Sequence, residues 1–283
     1  MKKRFYTASL ILKKKLHEDF FNFGFSMSLT IGLFIGGLFV GGFIRSISIL
    51  GLSSFDPNPL YKIFIILLEL VFGKLYVYRI FSNGPFLLSL ILSFIPVIIF
   101  LSIRSNKIFY ITYIIKPILS ESVDIKIMLI ISLIKRIILS VIALIVIWLY
   151  YLCFVFLNNI SVNSWFLSFI FVLIFFSISV YSIQTFISVF IRRIYLSILV
   201  FLLSLFFFTF IQISLQVLVH LKTLPLLVSI TSIISWISPV YYLYRGLSSN
   251  LSDVLLSIVL QSIFSILLVA LSFLIIKMRG IKA

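Results

Sequence analysis

The sequence predicts an all-α, polytopic membrane protein, and its composition and long apolar runs lead to that class. Hydrophobic residues make up 63% of the 283 residues and charged residues only 11%, against about 45–50% and about 25% in an average soluble domain. The mean hydropathy is +1.30. Because so few polar side chains could not cover a water-soluble globule, the composition excludes a cytosolic enzyme, a secreted domain and a disordered chain.

Charge-free apolar runs locate the predicted spans, since a helix needs about 20 apolar residues to cross about 30 Å of hydrocarbon. A polar stretch at 158–164 divides the longest run into two spans. The layout has about six transmembrane helices, at 20–44, 80–103, two within 137–191, 194–221 and 254–276.

Two further segments are apolar but interrupted. Glu69 and Lys74 break the stretch at 60–81, which we interpret as an interfacial or partly buried helix. The run 222–245 contains two prolines and several hydroxyl residues, and we predict a broken re-entrant hairpin before the last span. Non-helical backbone at that depth is tolerated only against other protein or water.

The distribution of basic residues predicts the orientation in a cell membrane. With both termini in the cytoplasm, 17 of the 23 Lys and Arg residues lie on the inner side, as the positive-inside rule requires. This layout places Lys135 and Arg136 in the loop between the second and third spans. The net charge of +16 then reflects contact with anionic membrane lipids, and no nucleic-acid partner is expected.

The chain lacks the residues of several function classes. None of its seven acidic residues falls in a predicted span, and it has no Walker A loop, hydrolase motif or metal-ligand spacing. We therefore expect no enzyme, no cofactor and no metal in this chain, and energy supplied by a separate partner. Two alternatives stay open: a carrier or channel that depends on Glu69, and a lipid-modifying enzyme that uses Glu121, Asp124 or His220.

The first 21 residues predict an amphipathic helix along the inner leaflet. Its apolar residues recur at helical spacing: Phe5, Ala8, Leu12, Leu16 and Phe20. This helix either anchors the chain to the membrane or also contacts a cytoplasmic partner. Residues 22–283 then form the membrane bundle of a single domain covering 1–283.

Two other patterns suggest contacts. In the loop 104–127, Pro117 interrupts any helix, and the stretch from Ser120 through Glu121 to Asp124 can start a new one. This loop therefore either transmits movement to the spans on each side of it or is a solvated connection. In the first span, small residues recur at four-residue spacing, as in close helix pairs: Gly24, Ser28, Gly32 and Gly36, with Gly37 and Gly41 on an adjacent face. That packing is either within the chain or between two copies.

With these residues identified, the chain resembles the permease subunit of ABC exporters of the ABC-2 family. The resemblance covers the basic N-terminal helix, the six spans, the loop KPILSESVDIK, the hairpin ending SWISPVYYLYRG and the basic tail KMRGIKA. The residues most like the family are Ser238, Pro239, Tyr241 and Tyr242, followed by Arg245.

The resemblance implies a half-transporter. Two permease chains, identical or different, would pair, and two separate ATPase subunits holding ATP and Mg would dock below them. The loop around Pro117 to Asp124 would be the coupling helix, and the hairpin at about 223–243, including Pro225, would form part of an outer exit gate. Amphipathic substrates would be exported.

Overall fold

The computed structural model is helical throughout the residues it describes, which confirms the all-α prediction for those residues. These are 22–50, 90–104, 125–157, 165–191, 193–221, 225–246 and 251–278. They form eight helices: α1 Phe23–Leu50, α2 Leu90–Arg104, α3 Ile125–Leu157, α4 Trp165–Phe190, α5 Ile194–Leu221, α6 Pro225–Ser235, α7 Pro239–Gly246 and α8 Leu251–Met278.

Four helices are long and apolar enough to cross a membrane, so the chain is a membrane-embedded protein. Their apolar parts are Leu129–Cys153, Phe169–Phe190, Ile194–Gln212 and Leu251–Met278. The described parts of two further apolar helices are Phe23–Leu38 and Leu90–Arg104. The four long helices agree with the last four predicted spans, and the total of six stays a prediction.

The predicted boundary differs most at α3. The charge-free run predicts a span that begins at 137, whereas the helix begins at Ile125 and contains Lys126, Lys135 and Arg136. The prediction that these three basic residues lie in a loop is therefore wrong. Lys and Arg are good helix formers, so a basic pair flanked by apolar residues does not interrupt the helix.

The core of the protein is built around α4. This helix packs against α3, α5, α7 and α8, most extensively against α8. Of its spanning part 67% is buried inside the protein, compared with 17% for α5 and 22% for α8. Its buried apolar side chains follow helical spacing: Phe169, Val172, Phe176, Val180, Ile183 and Ile187. Helices α5 and α8 therefore form the outer layer around α4.

The predicted glycine stripe lies where α1 approaches α2. A Cβ atom on Gly32 would stand 2.1 Å from the backbone oxygen of Ser93, and one on Gly24 would stand 2.6 Å from the ring of Phe100. Gly36 is also buried. This close approach is within the chain, which is one of the two arrangements that the sequence left open.

The other face of α1 is less crowded. A Cβ atom on Gly37 would meet only the hydroxyl end of Tyr150, at 3.0 Å. Gly41 lies in α1, but its surroundings are outside the described part of the chain.

Candidate functional site

The segment predicted as a hairpin contains two short helices, α6 and α7, joined by a tight turn. Backbone bonds spanning three residues close the end of α6, including one from the Ser238 amide to the Ser235 carbonyl at 2.9 Å. Ser238 caps α7, because its hydroxyl and carbonyl oxygens accept from the Tyr241 amide at 3.4 and 3.1 Å. Pro239 occupies the first helical position, where its missing N–H costs nothing.

Helix α7 is inserted between α4 and α8. The hydroxyl of Ser257 in α8 donates to the Tyr242 carbonyl at 2.6 Å. A Cβ atom on Gly246 would stand 2.5 Å from a methyl group of Val172 in α4. Val172 lies about 10 Å along α4 from the start of that helix, and Ser257 lies about 10 Å along α8 from its start. The contacts of α7 therefore lie about two turns into the bundle.

Tyr242 holds the turn in place from inside α7. Its hydroxyl donates to the carbonyl of Trp236, and its ring meets that of Tyr241 edge-on, with centroids 5.6 Å apart.

An ion pair between Arg245 and Asp253 also joins α7 to α8. The Nε atom of Arg245 lies 3.2 Å from the Asp253 carboxylate, and the two side chains are 30% and 26% exposed. Asp253 also occupies the first turn of α8, where the helix dipole favours a negative charge. A partly exposed pair of this kind contributes at most about 1 kcal/mol, so it orients the segment more than it stabilises it.

A second polar region, which the sequence analysis did not predict, lies between α3 and α4. Lys135 and Arg136 are each only 3% exposed. Nη2 of Arg136 donates to Oγ1 of Thr185 at 2.8 Å, and its Nε donates to the Ser132 carbonyl at 3.2 Å. The guanidinium carbon lies 5.4 Å from the centre of the Tyr181 ring, within the range of a cation–π contact.

Neutral hydrogen bonds connect this region across the two helices. The Thr185 hydroxyl donates to the Tyr181 carbonyl at 2.7 Å, which leaves its oxygen free to accept from Arg136. The hydroxyl of Tyr181 is hydrogen-bonded to that of Ser140. We call the four residues Arg136, Ser140, Tyr181 and Thr185 the arginine cluster. It lies in the first half of α3 and the second half of α4, at the end of the bundle opposite to α7.

The positive charge in the arginine cluster has only neutral hydrogen-bond partners. Asp253 is the single acidic residue in the described part of the chain, and it is paired with Arg245. Buried Nη1 of Arg136 has no hydrogen-bond partner among the described residues. Removing a charge from water costs several kcal/mol, whereas a cation–π contact returns about 0.5–2 kcal/mol. The cluster is therefore short of negative charge.

On its other side, α4 makes polar contacts with α8. The hydroxyl groups of Ser179 and Ser265 lie 3.1 Å apart, and the Ser265 hydroxyl also donates to the Gln261 carbonyl at 2.7 Å. Both amide atoms of buried Gln261 lack a hydrogen-bond partner in the described structure. These contacts fix the register of α4 between α3 and α8.

The sequence-predicted residues separate into two groups. Of the hairpin candidates, the structure brings Ser238, Pro239, Tyr241, Tyr242 and Arg245 together around α7, while Pro225 begins α6. The coupling candidates Pro117, Ser120, Glu121 and Asp124 lie outside the described residues, as do 1–21 and 60–81. Among the residues described, no group of three or more His, Cys, Asp or Glu side chains could hold a metal ion.

Tyr181→Phe should lower the free energy of unfolding by about 1 kcal/mol, because it leaves the buried Ser140 hydroxyl without its partner. Ser140→Ala should cost a similar amount for the same reason. The double variant should be no less stable than either single variant, since the second change removes the orphaned group. Thermal unfolding of the four proteins in one detergent measures this coupling, and fully additive losses would contradict the hydrogen bond.

Comparisons of the chain with protein-family models, with curated proteins and with solved structures give no match.

Proposed function

We propose that this chain is the membrane-spanning permease subunit of an ATP-driven exporter, with both termini in the cytoplasm. The observation that carries the proposal is the insertion of α7 between α4 and α8. A pair of short helices separated by a turn at Trp236–Ser238 precedes the last long helix, and α7 contacts its neighbours about 10 Å from their ends. This arrangement supports a re-entrant hairpin on the outer side of the membrane.

The contacts of α7 would couple a gate at this position to the helices around it. Helix α7 is joined to α8 by the contacts of Tyr242 with Ser257 and of Arg245 with Asp253, and its residue Gly246 packs closely against Val172 of α4. Helix α6 packs against α5 and leaves apolar side chains exposed, among them Leu226, Ile230 and Ile233. Rigid-body movement of α4 and α8 would therefore carry α7 with it and open a path outward.

The energy for this movement would come from a separate ATPase. The chain has no GxxxxGK[ST] loop to bind nucleotide phosphates. We propose that Pro117, Ser120, Glu121 and Asp124 form a coupling helix seated on that ATPase, that ATP and Mg are held there, and that a second permease copy, identical or different, completes the transporter. Charge reversal of the two carboxylates is the most direct test of this contact.

The double variant Glu121→Lys, Asp124→Lys should lose its ATPase partner, because two like charges would replace two attractive ones at the contact. The tagged chain is purified from its native membranes, and bound ATPase is measured as vanadate-sensitive ATP hydrolysis. The wild-type chain should retain the activity, and the double variant should retain less than about a tenth of it. Membrane insertion, measured by the yield of tagged protein, should be unchanged.

The neutral pair Glu121→Gln, Asp124→Asn is the matched control and should give an intermediate activity. Equal ATP hydrolysis by all three preparations would remove these residues from the coupling role. Purification of the wild-type chain without any ATPase, together with uphill flux in liposomes driven by an ion gradient alone, would overturn the proposed function. In that case Glu69 becomes the residue to replace.

A further inference from the structure

We propose that Arg136 binds the phosphate or carboxylate head group of an anionic membrane amphiphile at the seam between α3 and α4. The first argument is electrostatic. A buried guanidinium without an acidic partner in the described structure is stabilised by an incoming negative charge more than by any neutral group. An ionisable side chain inside a spanning helix therefore points to a ligand or an ion.

The second argument is the geometry of the guanidinium. Its Nε and Nη2 atoms are committed to Ser132 and Thr185, while Nη1 is buried and without a hydrogen-bond partner. The guanidinium carbon also makes the cation–π contact with Tyr181, at 5.4 Å from the ring centre. Arginine presents its N–H groups in a fixed fork that matches the oxygens of phosphate and carboxylate groups. The described contacts thus hold the guanidinium and leave one buried donor nitrogen without a hydrogen-bond partner.

The third argument is the local charge. Lys135 precedes Arg136 in the same turn of α3 and is equally buried. Arg136, whose hydrogen-bond partners in the structure are neutral, gives this level of the apolar bundle a positive potential. This potential would attract an anion and would disfavour a zwitterion or a cation.

The depth of the cluster favours an amphiphile over a free anion. From Leu129, where the apolar part of α3 begins, the helix rises about 10 Å to Arg136. The 25-residue apolar part is about 37 Å long, so Arg136 lies roughly 7 Å inside a hydrocarbon layer of about 30 Å. A head group attached to an apolar tail can be drawn to this level, whereas a free anion would lose its whole hydration shell.

The test measures binding to the purified chain without ATP or a partner, so its outcome is independent of the proposed function. The probe is dioctanoyl phosphatidylglycerol, titrated into the protein in a neutral detergent and followed by native mass spectrometry. Dioctanoyl glycerol, which lacks the phosphate, and inorganic phosphate, which lacks the tail, are the two comparison ligands. The wild-type chain should bind the first and neither of the others.

Arg136→Gln should weaken binding of phosphatidylglycerol by about tenfold or more, since one charge-assisted hydrogen-bonded contact is lost. Arg136→Lys should retain part of the affinity. Thr185→Val removes the hydroxyl that orients the guanidinium but keeps its charge, so it should weaken binding severalfold. The Thr185→Val variant therefore tests the proposal even if Arg136→Gln fails to fold. Arg104→Gln, the same change at a less buried arginine of α2, should bind as the wild type does.

Equal affinity of the wild-type, Arg136→Gln and Thr185→Val chains for phosphatidylglycerol would overturn the proposal. Binding of inorganic phosphate as tight as that of the lipid would replace the amphiphile with a free anion. A third outcome would also overturn the proposal, because it would show that Glu69 of the chain itself supplies the negative charge next to Arg136. In that outcome the wild type binds no lipid, and Arg136→Gln, Glu69→Gln and the double variant all lower the unfolding temperature by the same amount.

Discussion

Gly32→Leu should abolish the packing of α1 against α2, and the variant should accumulate as misfolded or degraded protein. Even the single methyl group of Gly32→Ala would stand 2.1 Å from the backbone oxygen of Ser93, a distance that a backbone atom cannot relieve by rotating. Overpacking of this kind costs about 1–3 kcal/mol. The better helix propensity of alanine returns only about 1 kcal/mol, so the alanine variant should also be less stable than the wild type.

Gly37→Ala is the matched control on the same helix. Its added Cβ atom would meet only the hydroxyl end of the Tyr150 side chain, at 3.0 Å, and that flexible end can move aside. Here the gain in helix propensity should offset the contact, and the unfolding temperature in detergent should change little. Equal destabilisation at the two positions would show that the contact of Gly32 with Ser93 does not decide the packing of α1.

The sequence predicted most about the helices that are uniformly apolar. The predicted span 194–221 has the bounds of α5, and the polar stretch 158–164 separates α3 from α4 as expected. Ser238 and Pro239 correctly indicated a break, because a capping hydroxyl followed by proline starts a new helix whatever its surroundings. These features are encoded locally, in hydropathy and capping, and can be recognised without knowledge of the tertiary structure.

The arginine cluster could not be predicted by the same procedure. Defining spans by charge-free runs places every arginine in a loop. The burial of Arg136, however, depends on Thr185 and Tyr181, which lie 49 and 45 residues further along the chain. Only the packing of α3 against α4 brings these groups together. A weak signal was present, because Tyr181, Gln184 and Thr185 fall close together in a span whose other polar residues are all serines. Residues of that type inside a membrane helix need partners.

Gly246→Ala should destabilise the protein by about 1–3 kcal/mol, since its methyl group would stand 2.5 and 2.9 Å from the two methyl groups of Val172. Val172→Ala alone should cost about 2 kcal/mol, because it leaves a cavity beside a fully buried position. In the double variant the new methyl group occupies that cavity. The combined loss should therefore be smaller than the sum of the single losses by about 0.5–3 kcal/mol.

Val189→Ala provides the matched control for this cycle. Val189 is also buried in α4, but it lies about 25 Å further along the helix, so its effect should simply add to that of Gly246→Ala. Thermal or denaturant unfolding of the single and double variants in one detergent measures both cycles. A compensating interaction at Val172 and none at Val189 would place the end of α7 against the first half of α4, as a hairpin inserted into the bundle requires. Additive losses in both cycles would instead mean that α7 lies on the surface, and the proposed gate would lose its structural basis.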